Sequence, residues 1–164
     1  MRPNIDEYYM QILPLVSSRS TCIRRAFGAI LTTSDGKILS TGYNGVISGA
    51  PHCIEFPCGG QDDDKGDYSR CMAVHAEQNC LLQCLRLDLA HTMYCSAIPC
   101  FTCAKMILNV PNILKVVVGG REPNETMISR KTGVIVDQGF QLLVKNLELM
   151  WFNADTKSTC IFTY

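Results

Sequence analysis

His75 and Glu77 stand two residues apart in the middle of this 164-residue chain, and Pro99-Cys100-Phe101-Thr102-Cys103 follows. One neutral imidazole and two thiolates make a donor set that zinc favours, and three protein ligands leave one tetrahedral position open for water. Cys100 and Cys103 are spaced i, i+3, so on a helix they share a face, and Pro99 suits the turn leading into that helix. The positive end of a helix favours the thiolate form that binds metal. At ~100° per residue, Glu77 points away from the direction of His75, which sets its carboxylate beside the open position and not on the ion. Two thiolates neutralise much of the metal's charge, so a neighbouring carboxylate base is useful.

His-x-Glu followed by Pro-Cys-x-x-Cys is the signature of zinc-dependent nucleobase deaminases. Both halves occur here in the required order. A lone Cys-x-x-Cys would carry little weight, because redox and structural zinc sites share it. Reading His75 as a core histidine and the two cysteines as inert thiols leaves Glu77 and Pro99 without a reason.

Composition bounds the rest. The length fits a single domain, 1–164, with a sizeable core, and 47% hydrophobic with 18% charged content is that of an ordinary globular protein. Fifteen basic residues balance fifteen acidic ones, so no global field attracts a long nucleic acid, whereas a few local cations suffice for a nucleotide phosphate. Ten cysteines are many, yet they lie among apolar runs and not in a short secreted scaffold, so they read as reduced. The N-terminus lacks the apolar core of a signal peptide and no run reaches membrane-span length. Cys160 has four residues after it, one too many for prenylation. The expected location is cytoplasmic.

The elements that must position the site follow from periodicity. Ile5, Tyr8, Tyr9, Ile12, Leu13 and Val16 predict a first helix over 5–18, kinked or shortened by Pro14. Ala26 to Leu31 and Ile38 to Tyr43 read as strands joined by a hairpin at Ser34-Asp35-Gly36. Residues 46–70 form a long loop without periodicity, which in a compact domain is functional or held by something. Then come a helix from Ala73 to Leu87, a strand from Thr92 to Ala97, a helix from Cys100 to Asn109 and a buried strand from Ile113 to Val118. A helix is expected near Met127 to Asp137 and a short strand at Gln141 to Val144, while the tail past Trp151 has no readable pattern. Alternation of strands and helices implies an α/β fold whose mixed sheet is covered on both faces.

Arg19-Ser20-Thr21-Cys22-Ile23-Arg24-Arg25, Gly28-Ala29, Gly42-Tyr43-Asn44-Gly45, Pro51-His52-Cys53, His75-Ala76-Glu77 and the Pro-Cys-x-x-Cys segment occur in an order that resembles the cytidine and deoxycytidylate deaminase family over about residues 15–120. The resemblance implies a three-layer α/β/α fold with a mixed five-stranded sheet and hydrolytic conversion of dCMP to dUMP with loss of ammonia. It implies a homo-oligomer, often a hexamer, switched on by dCTP with Mg²⁺ and off by dTTP. Glu77 would take a proton from the attacking water and return it to N3 of the cytosine as C4 is attacked. By the same resemblance Asn44 contacts the sugar, Ala76 contributes to substrate binding, and Gly42, Tyr43 and Gly45 are candidates for holding an effector nucleotide. Phosphate needs cationic donors, for which Arg24, Arg25 and Arg121 lie near the motif loops; relatives often carry a Tyr in the loop of Arg121 that this chain lacks.

Cys22, Cys53, Cys58 and Cys71 flank or lie within the long loop, and four thiolates would make a closed structural zinc site. The resemblance supplies Cys22 and Cys53 as anchors, with Cys58 and Cys71 as completing ligands and His52 as a substitute. Four buried free thiols are the other reading. Cys80 and Cys84 look like a ligand pair but suit packing, and Asp62-Asp63-Asp64 reads as a solvated acidic turn before a Mg²⁺ contact. Competing functions are a zinc deaminase of dCTP, CMP, guanine, a pterin-like base or tRNA adenosine, and a zinc-stabilised nucleotide-binding protein without catalysis. The presence of Glu77 speaks against the last.

Overall fold

A computed structural model describes residues 2–61, 70–119, 148–153, 155–156 and 158–161. In chain order its elements are α1 (Ile5–Ser17), β1 (Gly28–Thr32), β2 (Ile38–Tyr43), β3 (Gly45–Val46), β4 (Ala73–Val74), α2 (Ala76–Gln83), a 3₁₀ turn (Leu87–Leu89), β5 (Thr92–Cys95), α3 (Phe101–Leu108), β6 (Lys115–Val118), β7 (Glu148–Asn153) and β8 (Ser158–Ile161).

Six strands form one mixed sheet in the order β2-β1-β5-β6-β7-β8, and β3 pairs with β4 in a separate two-stranded ribbon. The β5/β6 and β6/β7 pairs are parallel, the others antiparallel. Strand alternation assigns the two faces. Ala29, Leu31, Met93, Cys95, Val116 and Val118 pack with Ala76 and Cys80 of α2 and Ala104 and Ile107 of α3. Ile30, Tyr94 and Val117 point the other way, onto Tyr9 and Leu13 of α1, together with Met150 and Phe152 of β7. Because β1, β5 and β6 are covered on both faces, their sequences are apolar runs without alternation. The layering is α/β/α, as expected. The sheet has six described strands and not five: β8 returns antiparallel to β7, and the Asn153 side chain accepts the N–H groups of Asp155 and Thr156 at 2.9 and 3.1 Å at the turn.

Helix α1 runs through Pro14 to Ser17 and is not shortened by it. Pro14 lies on the exposed side near the C-terminal end, where its missing N–H costs one bond and its ring meets no neighbour across the core. Asn4 caps the other end by accepting the Glu7 N–H at 2.8 Å. The helix is pinned to the sheet by Asp6, which accepts from the Tyr94 hydroxyl at 2.7 Å and from Lys115 Nζ at 3.0 Å.

The helix expected over Ala73 to Leu87 is confined to Ala76–Gln83. Ala73 and Val74 are taken by pairing with β3, and the last turn closes early, with the Cys84 N–H donating to Leu81 O. The strand expected to Ala97 ends at Cys95, and the buried strand begins at Lys115. The expectations for Met127 to Asp137 and Gln141 to Val144 lie outside the described residues.

Candidate metal centre and pocket

The two site helices begin at their ligands. His75 is the N-cap of α2, with its backbone N–H held by the Gln78 side chain at 2.9 Å. Cys100 is the N-cap of α3, and Cys103 sits three residues on, in its first turn. Both helices therefore aim unpaired N–H groups and their positive ends at the same spot, the C-terminal end of β5. That is where ligands sit in open α/β sheets.

His75 Nδ1 lies 3.5 Å from Cys100 Sγ and 3.4 Å from Cys103 Sγ. Zinc bound tetrahedrally at its ordinary Zn–S and Zn–N lengths requires S···N separations of about 3.5 Å, so the donor atoms are spaced for that ion. Among the described residues this trio is the one group of three or more His, Cys, Asp or Glu side chains whose donor atoms all lie within 4.8 Å of one another. The electrostatics agree. Hydrogen bonds from Cys103 and His75 push the Cys100 thiol down to about 3, whereas the Cys100 sulfur beside it and burial drive Cys103 up. The Cys100 sulfur also raises His75. A divalent cation held by these three residues would favour the thiolate form of both sulfurs.

Glu77 lies in the first turn of α2, and its Oε2 accepts from Cys103 Sγ at 3.6 Å. Burial raises its carboxyl, opposed first by a hydrogen bond from its own backbone N–H and then by the nearby His75. A raised carboxyl is closer to the operating pH, which suits a group that must both take and return a proton.

These groups open into a cavity of ≈ 590 Å³. His75, Ala76, Glu77, Asn44, Arg24 and Arg25 all line it, as do Phe27, Ser96 and Ile98, which the sequence pattern did not single out. Their signal was positional: Phe27 immediately precedes β1 and Ser96 to Ile98 follow β5 at the ligand end of the sheet. Ser96 is tied back by the Gly28 N–H, which donates to its Oγ at 2.9 Å.

Asn44 is buried, and its amide is engaged with the pocket wall: Oδ1 accepts the Phe27 N–H at 2.8 Å and Nδ2 donates to Arg25 O at 2.9 Å. Arg24 Nη1 donates to Gly60 O at 2.7 Å. Gly42 is buried under α2, while Tyr43 is half-buried and its carbonyl accepts from Asn79 Nδ2 at 2.8 Å. Gly45 pairs with Val74 in the β3–β4 ribbon. Arg121 and Asp62-Asp63-Asp64 lie outside the described residues.

The second set of cysteines approaches pairwise. Cys53 Sγ is 3.6 Å from Cys58 Sγ and accepts the Cys58 N–H at 3.4 Å. The Cys58 thiol is lowered first by the backbone N–H of Met72, then by that of Gly60, with Cys53 and Cys71 also bonded to it. Cys71 is raised by burial and by the neighbouring Cys58 and Cys22. The Ile54 N–H donates to Thr21 O at 3.1 Å, which holds the Cys53 turn against the segment carrying Cys22. Cys22 and Cys71 line the same cavity. His52 is exposed. Cys80 is fully buried against Ser40, as a packing residue would be, and Cys84 caps the end of α2.

Comparison with known proteins agrees with this geometry. A family model described as the cytidine and deoxycytidylate deaminase zinc-binding region matches residues 3–120. The deoxycytidylate deaminase of Mycobacterium phage D29 is 41% identical over 113 residues, which cover 65% of this chain and 88% of the phage protein. That of Saccharomyces cerevisiae is 34% identical over 111 residues, covering 66% of this chain but 35% of the longer yeast protein. The crystal structure of the dCMP deaminase from cyanophage S-TIM5 in complex with dCMP and dUMP superposes with a TM-score of 0.60 at 28% identity, over 92% of this chain and 98% of the phage chain. A family-model match of this extent places the chain in the cytidine and deoxycytidylate deaminase family.

Proposed function

We propose that this chain catalyses the zinc-dependent hydrolytic deamination of dCMP to dUMP and ammonia. The observation that carries the reading is the convergence of His75 Nδ1 with the Cys100 and Cys103 sulfurs at zinc-fitting distances, with the Glu77 carboxylate on the same side. When bound by those three residues, zinc supplies Lewis acidity that makes water a better nucleophile at neutral pH. Glu77 takes the proton of that water and passes it to N3 of the cytosine while oxygen adds to C4. Glu77 then takes the proton of the new C4 hydroxyl and gives it to the amino group, which leaves as ammonia while the C4 carbonyl of dUMP forms. Ala76, at the first position of α2, has an N–H without an intrahelical acceptor and lines the pocket, which suits it to an oxygen of the pyrimidine. Arg24 and Arg25 line the cavity as donors for the 5′-phosphate, and Arg121 is the third candidate by sequence. Asn44 borders the sugar.

Three finer points belong to the same proposal. Cys22, Cys53, Cys58 and Cys71 hold a second, structural zinc that fixes the long loop without a core of its own. The chain assembles as a homo-oligomer, a hexamer by family likeness. It responds to dCTP with Mg²⁺ and to dTTP through the turn of Gly42, Tyr43 and Gly45. Among the described residues no helix is long and apolar enough to cross a membrane.

Ammonia release from dCMP, cytidine, CMP and dCTP measured in parallel, with and without dCTP and Mg²⁺, tests the assignment. Turnover of dCMP above the others supports it. Activity on cytidine but not on dCMP would remove the nucleotide assignment and leave the deaminase chemistry.

A further inference from the structure

Two residues of β2 face α2, Ser40 and Gly42, and both are buried while Thr41 between them is exposed. Neither is a side chain that fills a core. The reason is distance: a Cβ built on Gly42 would stand 2.2 Å from Ala76 O, 2.4 Å from Cys80 N and 2.8 Å from Cys80 Cα. All three are backbone atoms, so no rotamer change relieves the contact. Around this point the strand grips the helix by its main chain. Ser40 Oγ donates to Cys80 O at 2.8 Å, Cys80 Sγ donates to Ser40 O at 3.6 Å, and Asn79 Nδ2 donates to Tyr43 O at 2.8 Å.

The helix held in this way is eight residues long and begins at the site, with His75 as its N-cap and Glu77 in its first turn. Cys100 and Cys103 ride on a different helix, α3. Any change in the depth at which α2 lies on β2 therefore moves His75 and Glu77 together, relative to the two sulfurs. We infer that Gly42, with Ser40 behind it, is a positioning residue pair for the deaminase reaction: β2 sets the seat of α2 and thereby the place of Glu77 and His75 against the Cys100–Cys103 pair. The inference rests on the proposed deaminase reading.

The test is Gly42→Ala, with Thr41→Ala on the exposed side of the strand as the control. The added methyl forces α2 outward by about 1 Å, a displacement that costs on the order of 100-fold in kcat when it falls on a catalytic group. Expected are that fall in kcat for dCMP with KM little changed, and a shift in the visible absorption bands of the cobalt(II)-loaded protein, which report the ligand geometry. Thr41→Ala is expected to match the parent in both. If Gly42→Ala does not fold, Ser40→Ala adds no atoms and removes only the hydroxyl on Cys80 O. It is expected to lower kcat by about 10-fold, as for one lost hydrogen bond, and to shift the cobalt bands in the same sense. Either folded variant with parental kcat and a parental cobalt spectrum, whatever its thermal midpoint, overturns the inference. Should the parent release no ammonia from dCMP, the substrate reading fails, yet the cobalt spectra still decide whether β2 seats the metal-binding helix.

Discussion

Two groups of cysteines stand on either side of one pocket, and they are held by different physics. At His75, Cys100 and Cys103 the ligands come from the first residues of two helices packed on the same face of the sheet, so the buried core beneath them fixes their positions. At Cys22, Cys53, Cys58 and Cys71 the ligands come from turns and loop segments fastened by a few backbone hydrogen bonds, such as Ile54 N–H to Thr21 O and Cys58 N–H to Cys53 Sγ. The first group is preorganised by tertiary packing. The second approaches pairwise, so an ion would bring as much order to the loop as it takes from it. Catalysis needs the first kind of support, because a base displaced by an ångström loses most of its effect.

The largest expected effect falls on the preorganised side. Glu77→Gln is predicted to keep zinc and lower dCMP turnover by about 10²–10⁴-fold, measured as ammonia release per zinc-loaded chain; near-normal turnover would take Glu77 out of its role. Metal content separates the two groups next. The parent is expected to hold two zinc ions per chain, Cys103→Ala to lose the ion tied to activity, and Cys58→Ser to keep activity while losing the other. A parent with a single zinc, all of it lost in Cys103→Ala, ends the idea of a second site. Loss of the loop ion is expected to lower the thermal midpoint by about 4–8 °C, as for ~2 kcal/mol in a chain of this size.

The buried packing thiols supply a third contrast. Burial pushes Cys80 up to about 12, so its thiol is protonated in the fold over a range where the unfolded chain has lost the proton. Between pH 9 and 12 the native state binds more protons, and stability falls as pH rises: fully present below pH 9, reduced by ~2 kcal/mol near pH 10.5. Urea midpoints at pH 8 and pH 10.5 read this loss, and Cys80→Ala should reduce it. In zinc-stripped protein at pH 7, Cys100, lowered by its neighbours, should alkylate with iodoacetamide well before Cys80 or Cys95. The smallest effect is expected for His52→Ala. His52 is exposed, so metal content and turnover should stay parental and stability change by less than about 0.5 kcal/mol.

The chemistry was legible in the sequence because ligand type and local spacing are properties of the chain itself. One imidazole, two sulfurs at i, i+3 and a carboxylate two residues from the imidazole demand a common neighbourhood, and the alternation of strands and helices announced a sheet covered on both faces. Helix lengths and the last strands were less legible. Ala73 and Val74 carry no signal that β3 will claim them, and α2 ends where the seat on β2 closes it, which depends on residues some forty positions away.

What the sequence determined by itself is the donor set, the proton-transfer group and the α/β layering, since each follows from residue identity and short-range periodicity. Only the tertiary structure decided that Asn44 spends its amide on the pocket wall, that Phe27 and Ile98 join the lining, and that Gly42 is small because a helix backbone rests on it. Those roles are set by distances between segments remote in the chain, and no local pattern encodes a distance of that kind.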